Sequence, residues 1–160
     1  MDIKIITTGG TIDKVYFDQL SEFQVGAPQI GEVLKHIHAS FEFEVLQLMR
    51  KDSLDMVEED RLLIKKAVAG APEKRILITH GTDTMAETAV MLSDIKDKVI
   101  VLTGSLIPAR FRETDATFNI GFALAAVQML SDGIYIAMNG QVFPAGKVKK
   151  NRELARFEPA

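Results

Sequence analysis

The chain has 160 residues, of which 47% are hydrophobic and 26% charged, as in a single soluble globular domain with a sizeable core. A formal net charge of −3, with no surface that interleaves basic and aromatic residues, argues against nucleic-acid binding. The absence of cysteine excludes disulfides, thiol catalysis and cysteine metal sites, and is typical of a cytoplasmic protein.

Strand and helix patterns alternate along the chain. Apolar or alternating runs predict strands over residues 3–7, 41–48, 76–79, 99–103 and 134–138. Helical periodicity predicts helices over residues 28–38, 55–69, 84–94 and 117–130, the second capped by Asp55. This alternation predicts an α/β fold with an open, mainly parallel, doubly wound sheet and helices on both faces.

Two stretches, residues 13–27 and 139–160, show neither pattern. Long irregular segments in compact domains are often lids or disordered, and we expect 13–27 to be an active-site lid loop. The most apolar stretch, residues 118–138, is interrupted by polar residues and glycines, so we expect no membrane span. Met1-Asp2 leads directly into a strand without signal-peptide features, which again favours the cytoplasm.

Two threonine-glycine loops, TTGGTI at residues 7–12 and THGTDT at residues 79–84, follow predicted strands directly. Open α/β sheets bind ligands at the carboxyl ends of their strands, so these loops predict a constructed site. Gly9-Gly10 lets the backbone approach a ligand closely. Thr11 is a candidate nucleophile, although a free hydroxyl needs a base or a charged neighbour, and a turn with a capping threonine is the alternative.

The second loop offers two hydroxyls beside a carboxylate, Thr82-Asp83-Thr84. A carboxylate can hold a lysine ammonium in position, and a lysine that loses its charge can act as a base. The alternative is a helix N-terminus, and both interpretations can hold together. His80 is expected to be a hydrogen-bonded structural residue.

Other candidate sites are weaker. His36 and His38 are two residues apart on a predicted helix, which does not indicate a metal site. Thr103-Gly104-Ser105 follows a strand, but neither standard phosphate-loop motif is present. The basic cluster at residues 147–152 is, by composition alone, a solvated tail.

These motifs together resemble the bacterial-type L-asparaginase family over roughly 150 residues. The matching segments are TTGGTI, KDSLDM at residues 51–56, THGTDTM and VLTGSLIP, followed by Asp115 and Phe118-Asn119. The resemblance implies hydrolysis of L-asparagine to L-aspartate and ammonia without metal or cofactor. It also implies the fold of the family's N-terminal domain and a homo-oligomer.

The resemblance assigns roles residue by residue. Thr11 matches the nucleophile that forms a β-aspartyl ester, and Thr82 and Asp83 match the second threonine and its aspartate. Lys150 is the candidate for the family's lysine, with Lys149 as the fallback. Ser53 matches a contact to the substrate's α-carboxylate and Asp83 a contact to its α-ammonium, while Gly10 and the backbone near Thr82 complete the substrate site and supply donors to the oxyanion.

The chain departs from the family pattern in three ways. Leu54 stands where a glutamine usually follows the matched serine. Phe23 stands at the place of the loop tyrosine, so Tyr16 is the candidate to supply that hydroxyl. The family's second, C-terminal domain has no counterpart in these 160 residues, so the chain is either a short, single-domain form or a fragment of a longer one. A sequence that starts at Met1 and is coherent to Phe157 favours the short form over residues 1–160.

We expect an L-asparaginase with a high KM and possible weak glutaminase activity. One alternative is a non-catalytic sensor domain that binds asparagine or aspartate. Another is an amidase module that feeds ammonia to a partner enzyme. The sequence does not set the preference between asparagine and glutamine, because one methylene changes binding by only about 1–3 kcal/mol.

Overall fold

The computed structural model describes residues 2–160, which form one six-stranded sheet, two small hairpins and four α-helices. The strands are Asp2–Gly9 (β1), Lys14–Phe17 (β2), Glu22–Val25 (β3), Glu42–Lys51 (β4), Arg75–Thr79 (β5), Val99–Thr103 (β6), Gly133–Met138 (β7), Gln141–Pro144 (β8), Val148–Asn151 (β9) and Arg156–Pro159 (β10). The helices are Ile30–His36 (α1), Glu58–Gly70 (α2), Met85–Met91 (α3) and Ala116–Met129 (α4). Two single turns of 3-10 helix cover Thr11–Asp13 and Ser53–Asp55.

The main sheet has the strand order β4-β1-β5-β6-β7-β8. The first five of these strands are parallel and β8 pairs with β7 in the antiparallel direction. Strands β5 and β6 are almost wholly buried, as expected for parallel strands covered on both faces. The prediction of an open, mainly parallel α/β sheet is therefore confirmed.

Helices cover both faces of this sheet and divide the interior into two apolar layers. On one face, Ile64 of α2 and Met85 and Ala89 of α3 are fully buried. On the other, Leu34 of α1 and Ala123 of α4 are fully buried. The alternate side chains of each strand supply the two layers, which is why residues 76–78 and 99–102 of the central strands are apolar without interruption.

The connections after β1 and β5 run in opposite directions. The chain leaves β1 toward β4 at the sheet edge, whereas it leaves β5 toward β6. Adjacent parallel strands with divergent connections leave a crevice at their carboxyl ends, where open α/β sheets bind ligands. The two threonine-glycine loops follow these two strands.

Three local expectations were wrong. The second helix begins at Glu58, not at residue 55, because Ser53–Asp55 form a separate turn in which the Asp52 side chain accepts the amide of Leu54. Residues 13–27 contain the antiparallel hairpin β2–β3 instead of an irregular loop. Residues 139–160 contain β8 and the hairpin β9–β10, so the basic cluster is not a tail.

The described helices also bear on membrane insertion. None of the α-helices within residues 2–160 combines the length and the apolar character that crossing a bilayer requires.

Candidate active site

Glycines bring the two threonine loops into direct contact. Gly10 has φ 88°, and a Cβ placed on it would lie 2.5 Å from the Cα of Gly81. Gly9, with φ 101°, would place a Cβ 2.6 Å from the backbone nitrogen and oxygen of Lys51. Only residues without a side chain permit this approach and this backbone conformation. Thr11 and Thr82, which follow Gly10 and Gly81, are consequently brought to the same crevice.

Two more glycines, Gly81 and Gly104, allow the loops after β4 and β6 to pack closely against the second threonine-glycine loop. A Cβ on Gly81 would lie 2.6 Å from the Oγ of Ser53. A Cβ on Gly104, in the loop after β6, would collide with the carbonyl oxygen of His80. The loops after β1, β4, β5 and β6 thus converge at one end of the sheet.

Lys150 connects the C-terminal hairpin to the second threonine loop. Its Nζ donates to Thr82 Oγ1 at 2.8 Å and to Asp83 Oδ1 at 2.9 Å. The Lys150 side chain is 16% exposed and Thr82 is 5% exposed, so water screens this arrangement only partly. A hydroxyl, a carboxylate and an amine therefore share a short chain of hydrogen bonds.

The hairpin β9–β10 holds Lys150 in place through its own buried residues. Val148 and Phe157 lie in the apolar layer next to α3. The amide of Phe157 donates to the side chain of Asn139 at 2.9 Å. Lys149 points to the other side of β9, where it pairs with Glu158 at 3.6 Å and is 61% exposed. Of the two candidate lysines, Lys150 is the one beside Thr82.

Ser53 is buried beside the start of α3. Its Oγ accepts the amide of Thr84 at 3.4 Å, and its carbonyl accepts the Thr84 hydroxyl at 2.9 Å. Thr84 is also the residue that precedes α3, so the second loop forms the start of this helix, as one of its two interpretations predicted. Leu54 follows Ser53 and is 64% exposed.

The β2–β3 hairpin is anchored to the Ser53 loop by an ion pair. Lys14 Nζ lies 2.8 Å from Asp52 Oδ2. Burial raises the pKa of Asp52, but the Lys14 hydrogen bond, the Leu54 amide and the charges of Lys14 and Lys150 outweigh it, so the pKa lies below its ordinary value. A cavity of about 630 Å³, lined in part by Lys14, Phe23 and Asp52, lies between the hairpin and this loop.

The outer part of the hairpin is aromatic and exposed. Tyr16 is 53% exposed and its ring contacts that of Phe23 edge-on, at 5.4 Å between ring centres. Phe23 in turn contacts Phe111 at 5.7 Å. The hairpin therefore reaches the segment after β6, at the same end of the sheet as Thr11.

Two buried ionisable groups lie within the loops. Burial lowers the pKa of His80 to about 4, so its ring is neutral near pH 7. The ring nitrogens of His80 contact the Gly81 carbonyl at 2.7 Å and the Thr88 hydroxyl at 2.8 Å. His80 therefore has the structural role expected from the sequence.

Asp13 is the second buried group, two residues beyond Thr11. Burial raises its pKa to about 6, although the Gln29 amide and the charge of Arg50 act in the opposite direction. Its Oδ1 accepts the Gln29 amide at 2.9 Å, and its carbonyl accepts the amide of Gly26 at 2.8 Å. Asp13 thus closes the base of the hairpin and joins it to α1.

The sequence analysis assigned no structural role to three polar features of this region: Asp115, the Lys14–Asp52 ion pair and the Arg152–Asp83 ion pair. Asp115 accepts the amides of Leu106 and Ile107 and so shapes the loop after β6. The Lys14–Asp52 pair anchors the hairpin, and Arg152 pairs with Asp83 at 3.2 Å. Pairs between residues far apart in sequence leave no local signal, although Asp115 was noted within the matching motif.

The residues predicted for catalysis lie at the carboxyl ends of central strands: Thr11 follows β1, Thr82 follows β5, and Lys150 contacts Thr82. Thr11, Thr82 and Lys150 line neither the 630 Å³ cavity nor a cavity of about 560 Å³ between α1 and the start of α4. The group of Thr11, Thr82, Asp83 and Lys150 is a better candidate for a catalytic site than either cavity, because it combines potential nucleophiles with a lysine and a carboxylate.

Comparison with known proteins gives one consistent family. Residues 2–157 match the family model described as Asparaginase, N-terminal. The chain is 32% identical to a probable periplasmic L-asparaginase of Haemophilus influenzae, over 96% of the chain and 47% of that protein. It is 30% identical to a glutaminase-asparaginase of Acinetobacter glutaminasificans, over 93% of the chain and 49% of that protein.

A solved structure agrees with these relatives. The thermostable L-asparaginase of Thermococcus kodakarensis superposes with a TM-score of 0.85 at 28% identity, over 99% of this chain and 51% of that one. The chain spans about half the length of the proteins it matches. By its sequence, its fold and the match over residues 2–157, the chain belongs to the asparaginase family and corresponds to that family's N-terminal domain.

Proposed function

We propose that this chain hydrolyses the side-chain amide of L-asparagine to give L-aspartate and ammonia. The observation that carries the proposal is the placement of Lys150 between Thr82 Oγ1 and Asp83 Oδ1, beside the loop that carries Thr11. An amine, a carboxylate and two hydroxyls meet the needs of covalent amide hydrolysis, namely a nucleophile and groups that transfer protons.

In the proposed reaction, the Thr11 hydroxyl attacks the amide carbonyl and loses its proton. Backbone N–H groups near Thr82 stabilise the negative oxygen of the tetrahedral intermediate. The C–N bond then breaks and the leaving nitrogen takes up a proton to depart as ammonia, which leaves a β-aspartyl ester on Thr11. Water attacks the ester, and aspartate and the free hydroxyl are regenerated.

Thr82 and Lys150, with Asp83, relay protons in this scheme: the proton that Thr11 loses passes to this group, which returns a proton to the leaving nitrogen. The positive charge of Lys150 stabilises negative charge that develops on the Thr82 oxygen 2.8 Å away. Asp83 keeps the lysine in that position, since it lies 2.9 Å from Nζ. We assign this group to activation of the attacking hydroxyl or water and to protonation of the leaving nitrogen.

Gly10, Ser53, Thr82 and Asp83 hold the amino-acid end of the substrate. Fixing that end places the amide against Thr11, and orientation of this kind accounts for a large share of enzymatic rate. The hairpin within residues 13–27 is the proposed lid, and its closure would bring the exposed Tyr16 hydroxyl toward the nucleophile.

Further properties follow as proposals from the family relationship. We propose a high KM for asparagine, because the exposed Leu54 offers no polar side-chain contact to the substrate. Weak glutaminase activity and a cytoplasmic homo-oligomer are proposed with it. The name of the Acinetobacter relative includes glutaminase, whereas that of the Haemophilus relative includes periplasmic.

An ammonia-release assay over asparagine, glutamine and related amides at millimolar concentration tests the proposal. Ammonia is expected from asparagine, and Thr11→Ala should abolish it. Thr117→Ala, at an exposed threonine on α4, is the matched control and should retain activity. Asparagine binding without ammonia release would indicate a sensor domain, and full activity of Thr11→Ala would exclude Thr11 as the nucleophile.

A further inference from the structure

Two cationic side chains share one oxygen of Asp83. Asp83 Oδ1 lies 2.9 Å from Lys150 Nζ and 3.2 Å from a terminal nitrogen of Arg152. The proposed mechanism uses Lys150 and Asp83 but gives Arg152 no role. Its position in the turn after β9 places it at the outer side of the same carboxylate.

The two cations differ in their freedom to change partners. The Lys150 side chain is 16% exposed and also holds Thr82, so its position is fixed by two contacts. The Arg152 side chain is 67% exposed. An exposed ion pair of this kind is weakly held and exchanges readily with another partner. Of the two cations that contact Asp83, Arg152 is therefore the one that can exchange its partner.

The side chains around Asp83 carry a net positive charge, which favours the binding of an anion. Lys150 and Arg152 contact the one carboxylate of Asp83, and the charge of nearby Asp52 is matched by its pair with Lys14, so an approaching carboxylate meets a net positive charge. The guanidinium presents five N–H donors in a planar fork that matches a carboxylate in a bidentate arrangement. Its contact with Asp83 leaves donors for a second anion.

The Arg152–Asp83 pair is complementary to a zwitterion. The carboxylate of Asp83 matches an α-ammonium, and the guanidinium of Arg152 matches an α-carboxylate. When such a ligand binds, one exposed ion pair is replaced by two. Leu54, exposed beside Ser53, has no polar side-chain atom to offer the same carboxylate.

Resting on the activity proposed above, we infer that Arg152 binds the α-carboxylate of the substrate and selects amides that carry one. The site then discriminates by the charge at the amino-acid end of the substrate, not only by the amide. Arg152 is a specificity-determining residue in this assignment, and it takes no part in proton transfer.

Binding measurements in the Thr11→Ala background test this inference without turnover. Dissociation constants for three amides are measured by NMR titration: asparagine, succinamate, which lacks the ammonium, and 3-aminopropanamide, which lacks the carboxylate. Adding Arg152→Ala should raise Kd for asparagine and succinamate about tenfold, as expected for loss of a charge-assisted hydrogen bond. The Kd for 3-aminopropanamide should change by less than about twofold, because it has no carboxylate to lose.

Arg156→Ala is the matched control. Arg156 lies in the same hairpin and is 56% exposed, but it pairs with Glu158 at 3.8 Å instead of Asp83. Its removal changes the net charge equally and should leave all three constants unchanged, whereas Arg152→Lys should restore part of the binding. An equal effect of Arg152→Ala on all three amides, or no effect, would overturn the inference, as would failure of asparagine to bind.

The same variants keep this inference separate from the proposed hydrolysis. If the unaltered chain releases no ammonia but the Kd pattern holds, the hydrolytic proposal fails while the assignment of Arg152 stands. If ammonia is released and Arg152→Ala alters only kcat, with KM unchanged, the assignment of Arg152 fails while hydrolysis stands.

Discussion

Lys150 Nζ donates to Thr82 Oγ1 over 2.8 Å, although the two residues are 68 positions apart in the sequence. The contact joins a turn at the end of β5 to a hairpin outside the main sheet. Both partners are largely shielded from solvent, so the hydrogen bond is not a chance surface contact. Substitution of Lys150 is therefore the most direct way to separate an effect on the proposed reaction from an effect on folding.

Replacing Lys150 by alanine should reduce kcat for asparagine by at least about 100-fold, because a positioned proton-transfer group contributes factors of that size. Lys149→Ala, which removes an exposed lysine from the same strand, should stay within about twofold. Ammonia release and circular dichroism of both variants check this prediction. Equal losses in the two would mean that the hairpin matters only for folding.

Replacing Gly10 by alanine should destabilise the protein by more than about 2 kcal/mol, because the new Cβ enters a strained backbone conformation against a neighbouring backbone. Gly10 has φ 88°, and a Cβ added to it would lie 2.5 Å from Gly81 Cα. Gly121→Ala is the control: it lies within α4 with no atom within 4 Å of the added Cβ. It should stabilise by about 0.5–1 kcal/mol. Urea unfolding of both variants measures the difference, and similar values would contradict the close contact.

Replacing Lys14 by methionine should loosen the hairpin and raise KM for asparagine several-fold. The change removes the 2.8 Å ion pair with Asp52, and partly exposed pairs contribute up to about 1 kcal/mol. Hydrogen exchange of the amides in residues 14–25 should accelerate. Lys35→Met, which removes an exposed pair with Glu32 on α1, should change neither quantity. Unaltered exchange in the first variant would show that the pair does not anchor the hairpin.

The pH dependence of the free energy of unfolding should report the titration of Asp13. Its pKa is about 6 in the folded protein against an ordinary value of 3.8, so the folded state holds the proton more tightly. The contribution of this group is therefore greatest below pH 3.8 and is lost as the pH rises through 6. Asp13→Asn removes the titration and keeps an oxygen acceptor for the Gln29 amide. Between pH 4 and 7 the wild type should lose up to about 3 kcal/mol relative to this variant.

His80 acts in the opposite direction over the same range, since its pKa falls from 6.5 to about 4 on folding. Its contribution is present above pH 6.5 and is lost as the pH falls through 4. Because both proteins contain His80, its effect cancels in their difference. Urea unfolding at several pH values measures that difference, and parallel stability curves would refute the role of Asp13.

The parallel strands of the main sheet could be predicted from the sequence because each contains an apolar or an alternating run. Residues 99–103 are predicted and observed with the same bounds. The pattern contains no comparable signal for β2, β3, β9 and β10, which are four-residue hairpin strands with at most one buried side chain each. Exposed positions accept polar residues on both faces, so the twofold alternation disappears.

The sequence also contains a hairpin signal within residues 139–160, where no strand was predicted. Asn139-Gly140 joins β7 to β8, and both residues have positive φ, as in the favoured two-residue hairpin turn. In contrast, the partners of Lys14 and Arg152 are fixed only by the folded chain, through contacts with Asp52 and Asp83. Sequence motifs were sufficient to identify the two threonine-glycine loops. The ion pairs around these loops could be identified only from the structure.

The hairpin that carries Lys150 also sets the order in which the site can be assembled during protein synthesis. Strands β1 to β7 and the loops with Thr11 and Thr82 leave the ribosome before β9 and β10. Val148 and Phe157 must both be available before the hairpin can dock against α3. A nascent chain can thus form its sheet first and would complete the proposed site only in a late step, once residues 148–159 have emerged.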